Sequence, residues 1–179
     1  MFKAYLIGDR VIVLDDDAAR KLYFDGFYGN PIHTQKPKKV EDVKAPLVLS
    51  PFETLYLVEK GVIKVYDLKD NELSLEDLFK VWKDIPKLEE KFRVYKELRE
   101  KGFVVRSGLK YGADFSAYEF GPGIDHAPYV VDVVTSDEEI ESTELIKAGR
   151  VAHGVRKKFI MAVVKDKTTR YVMFKWYLP

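Results

Sequence analysis

The sequence predicts a protein of mixed α+β class, with a small α/β domain over residues 1–85 and a second domain, a mixed sheet flanked by helices, over residues 86–179. Three observations predict it. Short β-rich runs alternate with well-capped helical stretches through the first half. One long amphipathic segment, KLEEKFRVYKELREKG, bridges the halves. After it the order becomes strand–strand–strand–helix–strand–strand, which describes a sheet with its own covering helix.

The elements follow in turn. FKAYLI and RVIVL flank Gly8-Asp9 and read as a hairpin. Asp15 to Asp17 supply an N-cap and first-turn acids for a helix through AARKLYFDGF, ending near Gly26. Residues 29–46 carry three prolines and little periodicity, so they read as a long loop or edge segment. PLVLS is a strand running into a strongly signalled helix: Ser50 as N-cap, Pro51 at N1, Glu53 at N3 and Gly61 past the end. VIKVYD is a further strand, and Ser74 caps a helix through LEDLFKVWKDI.

Pro86 opens the long helix, where Leu88, Phe92, Tyr95 and Leu98 recur at helical spacing and Gly102 stops it. FVVRS, YGADFSAYEF and APYVVDVVT read as three successive strands. Ser142 caps a helix through TELIKAGRVAH with Gly154 as its stop, and KKFIMAVV and RYVMFKWYL close the chain as a hairpin around KDKTT. In that last strand Val172, Phe174, Trp176 and Leu178 alternate with Tyr171, Met173, Lys175 and Tyr177, so both faces carry large apolar groups. An edge strand of this kind needs a cover. The same strand of a second copy would supply one with two-fold symmetry; burial under the chain's own helices is the alternative.

Composition narrows the function. With 46% hydrophobic and 33% charged residues the chain is globular, and it holds no run long enough to span a bilayer. The N-terminus lacks a signal-peptide pattern, so a cytoplasmic protein without membrane contact is expected. There is no cysteine, which excludes disulfides and thiolate metal sites. Gln35 is the only glutamine and Asn30 and Asn71 the only asparagines, a depletion suggesting a thermophilic source. The net charge is +1, but the residues from Leu145 onward hold nine basic groups against the single acid Asp166, an electrostatic footprint suited to nucleic acid.

The familiar nucleotide, metal and serine-hydrolase motifs are missing: no GxxxxGK[ST], GxGxxG, HExxH, EF-hand loop or GxSxG occurs. Asp114, Glu119 and Asp132 could serve a magnesium-dependent nuclease, yet the acid-x-Lys triplet such a site wants does not follow them. A metal-free set remains. Tyr118 ends one strand, His126 stands before the next behind the bend Gly121-Pro122-Gly123, and Lys157 opens a third. Such a trio suits cleavage of an RNA phosphodiester by its own 2′-OH, which needs a proton acceptor, a proton donor for the departing 5′-oxygen and a cation for the charge at phosphorus. No cofactor or metal is required.

FVVRSGLKYGADFSAYEFGPGIDHAPYVV and RVAHGVRKKFIMAVV together resemble the nuclease-like C-terminal catalytic domain of archaeal tRNA-splicing endonucleases, over roughly residues 103–179. The resemblance implies Tyr118 as general base, His126 as general acid and Lys157 as transition-state stabiliser. It implies 2′,3′-cyclic phosphate and 5′-hydroxyl products and a bulge–helix–bulge in precursor tRNA as substrate. It also implies a homotetramer, and Arg150, on the helix leading to the lysine, is the candidate for contacting bulge bases. The acidic loop by which the family's subunits dock is here KDKTTR, with Asp166 as its one acid. Two other readings stay open: a non-catalytic RNA-binding or structural subunit of a heteromeric enzyme, and the magnesium-dependent nuclease.

Overall fold

The structure is a computed structural model that describes residues 1–34, 37–124, 126–154 and 157–174. The chain divides into two compact units, Met1–Leu88 and Glu89 onward.

In the first unit, β1 (Phe2–Ile7) and β2 (Arg10–Val13) form the expected hairpin, with Ile7 opposite Arg10 and Gly8 at φ +66° making the turn. Asp15 caps α1 (Asp16–Gly26) by accepting from the Ala18 N–H at 2.7 Å. The helix ends when Phe27, not Gly26, turns left-handed at φ 54°. Residues 29–46 hold more order than their composition suggests: β3 (Asn30–Pro31) pairs with β4 (Leu47–Leu49), and a 3-10 turn spans Val40–Asp42. The six-stranded sheet is completed by β5 (Ile63–Tyr66), parallel to β1, and β6 (Glu72–Leu73), in the order β3-β4-β2-β1-β5-β6.

The caps expected at Ser50 and Ser74 are also present, whereas Ser142, expected as an N-cap, is the first residue within its helix, Ser142–Gly154. Ser50 and Glu53 form a reciprocal capping box at α2 (Pro51–Glu59), and Ser74 and Asp77 another at α3 (Leu75–Val81). Glu53 is only 3% exposed, and its buried carboxylate accepts from Ser50 N–H at 2.8 Å and from Gly29 N–H at 3.0 Å. Gly29 is obligatory there, since a Cβ would meet Leu47 Cγ at 2.7 Å. The α3 helix stops well short of the expected Ile85, with Trp82 as its C-cap donating Nε1–H to Asp9 O at 2.9 Å across the hairpin turn.

The second unit is a five-stranded mixed sheet in the order β11-β10-β9-β8-β7. Its first helix, α4 (Leu88–Glu100), begins two residues after Pro86 and buries Leu88, Phe92, Tyr95 and Leu98, the predicted stripe. Then come β7 (Val104–Ser107), a 3-10 turn at Leu109–Tyr111, and β8 (Phe115–Tyr118), shorter than the ten residues expected because the turn takes up its start. The strands β7, β8 and β9 (Tyr129–Thr135) are antiparallel neighbours. The helix α5 (Ser142–Gly154) crosses over to β10 (Lys158–Lys165), which runs parallel to β9 as such a crossover demands. The last strand, β11 (Thr168–Phe174), returns antiparallel after a turn with Asp166 at φ 50°.

The pleat decides which helix covers which face. Ala148 of α5 packs with Val130 and Phe159, while Tyr95 of α4 meets Phe115, which stands opposite Val131. Val130 and Val131 are successive residues of one strand and point to opposite faces, so α5 and α4 cover opposite sides. At the edge, Val172 and Met173 of β11 are 47% and 43% exposed, while Thr169 and Tyr171 donate hydroxyls to Glu97 of α4. Helical cover is thus partial. Lys175, Trp176, Tyr177 and Leu178, which carried the rest of the two-faced reading, lie outside the described residues. No described helix is long and apolar enough to cross a membrane.

Candidate active site

The parallel pair β9–β10 organises the site. In its register Lys158 stands beside Tyr129, and Tyr129 stands beside Ala117 of β8. One row across three strands therefore ends with Tyr118 as the last residue of β8, His126 three residues before β9 and Lys157 one residue before β10. The row is closed by Lys158 N–H donating to Pro128 O at 2.8 Å. Strand alternation puts Tyr118 on the face shared by Ser116, Val130 and Phe159, the side covered by α5.

Lys157 is joined directly to the His126 segment: its Nζ donates to the carbonyl oxygen of Ala127, the residue after the histidine. His126 is exposed and Ala127 buried, so the loop is anchored immediately behind an imidazole that faces solvent. Tyr118 is half-buried. The loop between them turns on Gly121 and Gly123, at φ 128° and 88°, with Ile124 N–H bonded to Gly121 O at 3.1 Å. Phe120 and Ile124 stand out from it, 66% and 68% exposed. Arg150 is exposed on α5, four residues before its end, and no contact described joins it to the other three.

The carboxylates of the magnesium reading have other occupations. Asp114 spends Oδ1 on Lys91 at 2.7 Å and Oδ2 on the Val133 N–H at 2.8 Å. Asp132 spends Oδ1 on the Asp114 N–H at 2.9 Å and Oδ2 on Lys147 at 3.0 Å. Glu119 accepts from the Tyr129 hydroxyl at 3.1 Å. Every oxygen of Asp114 and Asp132 is thus engaged in tying α4, β8, β9 and α5 together. Among the described residues no group of three or more His, Asp or Glu is arranged to hold a metal ion.

Sequence reasoning missed Tyr111. Its ring lies beneath Lys157, with Nζ 5.0 Å from the centroid, and it packs against the Val130–Ala148–Phe159 cluster. The two residues are 46 apart, and no periodicity links them. A polar cleft lined by Glu89, Arg93, Thr135, Asp137 and Lys165 lies at the opposite end of the sheet, away from the trio.

Known proteins agree with this architecture. Residues 2–79 match the family model of the tRNA intron endonuclease N-terminal domain, and residues 88–172 that of the tRNA intron endonuclease catalytic C-terminal domain. The chain is 47% identical over 182 residues to a tRNA-splicing endonuclease of Hyperthermus butylicus, covering all of both chains. It is 49% identical over 179 residues to tRNA-splicing endonucleases of Saccharolobus islandicus and Saccharolobus solfataricus, covering 98% of each chain. With both domain models in sequence order and relatives aligned end to end, the chain belongs to the tRNA-splicing endonuclease family.

Proposed function

We propose that the chain excises introns from precursor tRNA by metal-independent cleavage at the exon–intron junctions of a bulge–helix–bulge. Tyr118 accepts the proton of the 2′-OH, and the 2′-oxygen attacks the adjacent phosphorus. The bond from phosphorus to the 5′-oxygen breaks as His126 gives that oxygen a proton, and Lys157 stabilises the extra negative charge on the phosphoryl oxygens. The products are a 2′,3′-cyclic phosphate and a 5′-hydroxyl, so atoms and charge balance without a cofactor. Positioned acid–base groups of this kind contribute on the order of 10²–10⁴ in rate.

The observation that carries the reading is the row at the N-terminal end of β9 and β10, where Lys157 is bonded to the carbonyl next to His126 and Tyr118 lies one strand away. Family membership supports the substrate. The occupied carboxylates of Asp114 and Asp132 weigh against the magnesium nuclease, and the presence of all three trio residues weighs against a purely structural subunit. Arg150, exposed on α5, is our candidate for stacking on a bulge base. The active form is a cytoplasmic homotetramer, whose two-fold symmetry matches a substrate with two bulges.

The test is cleavage of a bulge–helix–bulge RNA by the purified chain in EDTA, with analysis of the product ends. Cyclic phosphate and 5′-hydroxyl ends are expected. Cleavage that needs added magnesium would overturn the mechanism, and cleavage that needs a second protein would overturn the homomeric assembly.

A further inference from the structure

We propose that Tyr111 is a positioning residue for the cleavage reaction, its ring face holding the Lys157 ammonium where the phosphoryl charge develops; this rests on the role proposed above for Lys157. A lysine carries its charge on a flexible four-carbon stem, so an unanchored ammonium spends little time at one point. Two groups anchor this one. The Ala127 carbonyl takes one of its three N–H donors, and the Tyr111 ring lies 5.0 Å away. Donor capacity remains for a substrate oxygen.

The choice of anchors is informative. Lys91 and Lys147, in the same unit, end on carboxylates at 2.7 and 3.0 Å, which cancel their charge. Both anchors named for Lys157 are neutral. A carbonyl dipole and an aromatic quadrupole orient a cation without neutralising it, leaving a full positive charge for phosphate.

The local backbone is built to deliver the ring. The 3-10 turn Leu109–Tyr111 is held by Tyr111 N–H and Ala113 N–H, both donating to Gly108 O, at 2.8 and 3.1 Å. Gly108 lies so close to β8 that a Cβ would meet the Phe115 backbone at 2.7 Å. Gly112 ends the turn at φ +66°, a left-handed conformation that glycine adopts without strain. The ring is then backed by the cluster of Val130, Ala148 and Phe159. Turn, glycines and core together fix one aromatic face under one lysine.

The experiment replaces Tyr111 with phenylalanine and then with its 4-fluoro, 3,4-difluoro and 3,4,5-trifluoro analogues, which keep the shape while draining the ring's negative face. Single-turnover cleavage of a bulge–helix–bulge RNA is measured over enzyme concentration, with Lys157→Ala alongside. Tyr111→Phe is expected within about threefold of the parent, and the saturating rate constant to fall stepwise with fluorine, about tenfold in all, at unchanged half-saturation. A flat series, or a fall confined to half-saturation, overturns the role of Tyr111 while leaving that of Lys157 intact. Wild-type cleavage by Lys157→Ala instead overturns the role of Lys157, and that of Tyr111 with it.

Discussion

Two groups of charged side chains in the C-terminal unit use the same chemistry to opposite ends. Linking α4 and α5 from the two sides of the sheet, Lys91–Asp114 and Lys147–Asp132 form a closed network in which each carboxylate oxygen has a partner and every named side chain is at least half-buried. At the N-terminal end of β9 and β10, His126 faces solvent and Lys157 rests on a carbonyl and a ring. The difference separates scaffold from the proposed machinery. A charge consumed by its neighbours holds elements in place, while a charge oriented but not cancelled can act on a substrate. The network is also what makes the second condition possible, because it locks α5 and β8 to β9, and β9 supplies the register for the trio.

The sharpest way to test this division is to remove the exposed imidazole. His126→Ala is expected to cut the cleavage rate by about 10²–10⁴ while leaving RNA affinity and the thermal unfolding midpoint unchanged. A filter-binding and melting comparison with the parent checks it, and a lost fold would move His126 to the scaffold side. Asp114→Ala is the converse. It strands Lys91 and the Val133 N–H in a region where Lys91 is 14% exposed, and should cost about 2–3 kcal/mol of stability in urea unfolding. Added magnesium should restore nothing. A stable Asp114→Ala protein that had lost cleavage alone would break the comparison.

A smaller effect is expected from Tyr171, a neutral member of the scaffold. Burial first, and the Glu97 carboxylate second, hold its phenol protonated well above its ordinary range. The unfolded chain releases that proton sooner as pH rises, so this contact's stability is complete below about pH 10 and is lost as pH climbs through and beyond it. Unfolding midpoints between pH 8 and pH 11 should therefore decline less steeply for Tyr171→Phe than for the parent. Equal slopes would mean that the hydroxyl is not held as described. The exposed pair Lys3–Asp70, 49% and 69% open to solvent, marks the lower limit: Asp70→Asn, which removes the charge and suits the φ of 60° there, should leave the melting curve unmoved at physiological salt.

How much of this was legible depends on how far apart the partners lie. The capping box Ser50–Glu53 and the cap at Ser74 are legible directly, because a cap is a local interaction between a side chain and the next turn's N–H groups, while the reciprocal half supplied by Asp77 is added by the structure. The buried stripe of α4 was read from its period alone. The strands β3 and β6 were not, since two residues have no periodicity and become strand only through β4 and β5. The segment Tyr111–Asp114 reads as the start of a strand for a related reason: tyrosine and phenylalanine favour strands, and the turn that ends at Tyr111 is fixed by Gly108 lying against Phe115 and by Gly112 in a left-handed conformation.

For the site the division is similar. Residue type and position at strand ends make Tyr118, His126 and Lys157 candidates, since few side chains can exchange protons or carry a cation at phosphorus, and it is the family resemblance that selects them as a set. Which carboxylates were already spent was not visible, since Asp114 and Asp132 are satisfied by Lys91 and Lys147 from two different helices. Nor could the spacing show that Tyr111 would lie under Lys157. Sequence by itself determined the elements, their caps and the chemistry available at each strand end, since those depend on short-range propensity and on side-chain identity. Tertiary structure alone decided which charges are cancelled and which are left to act, because a charge is neutralised by whatever folds against it.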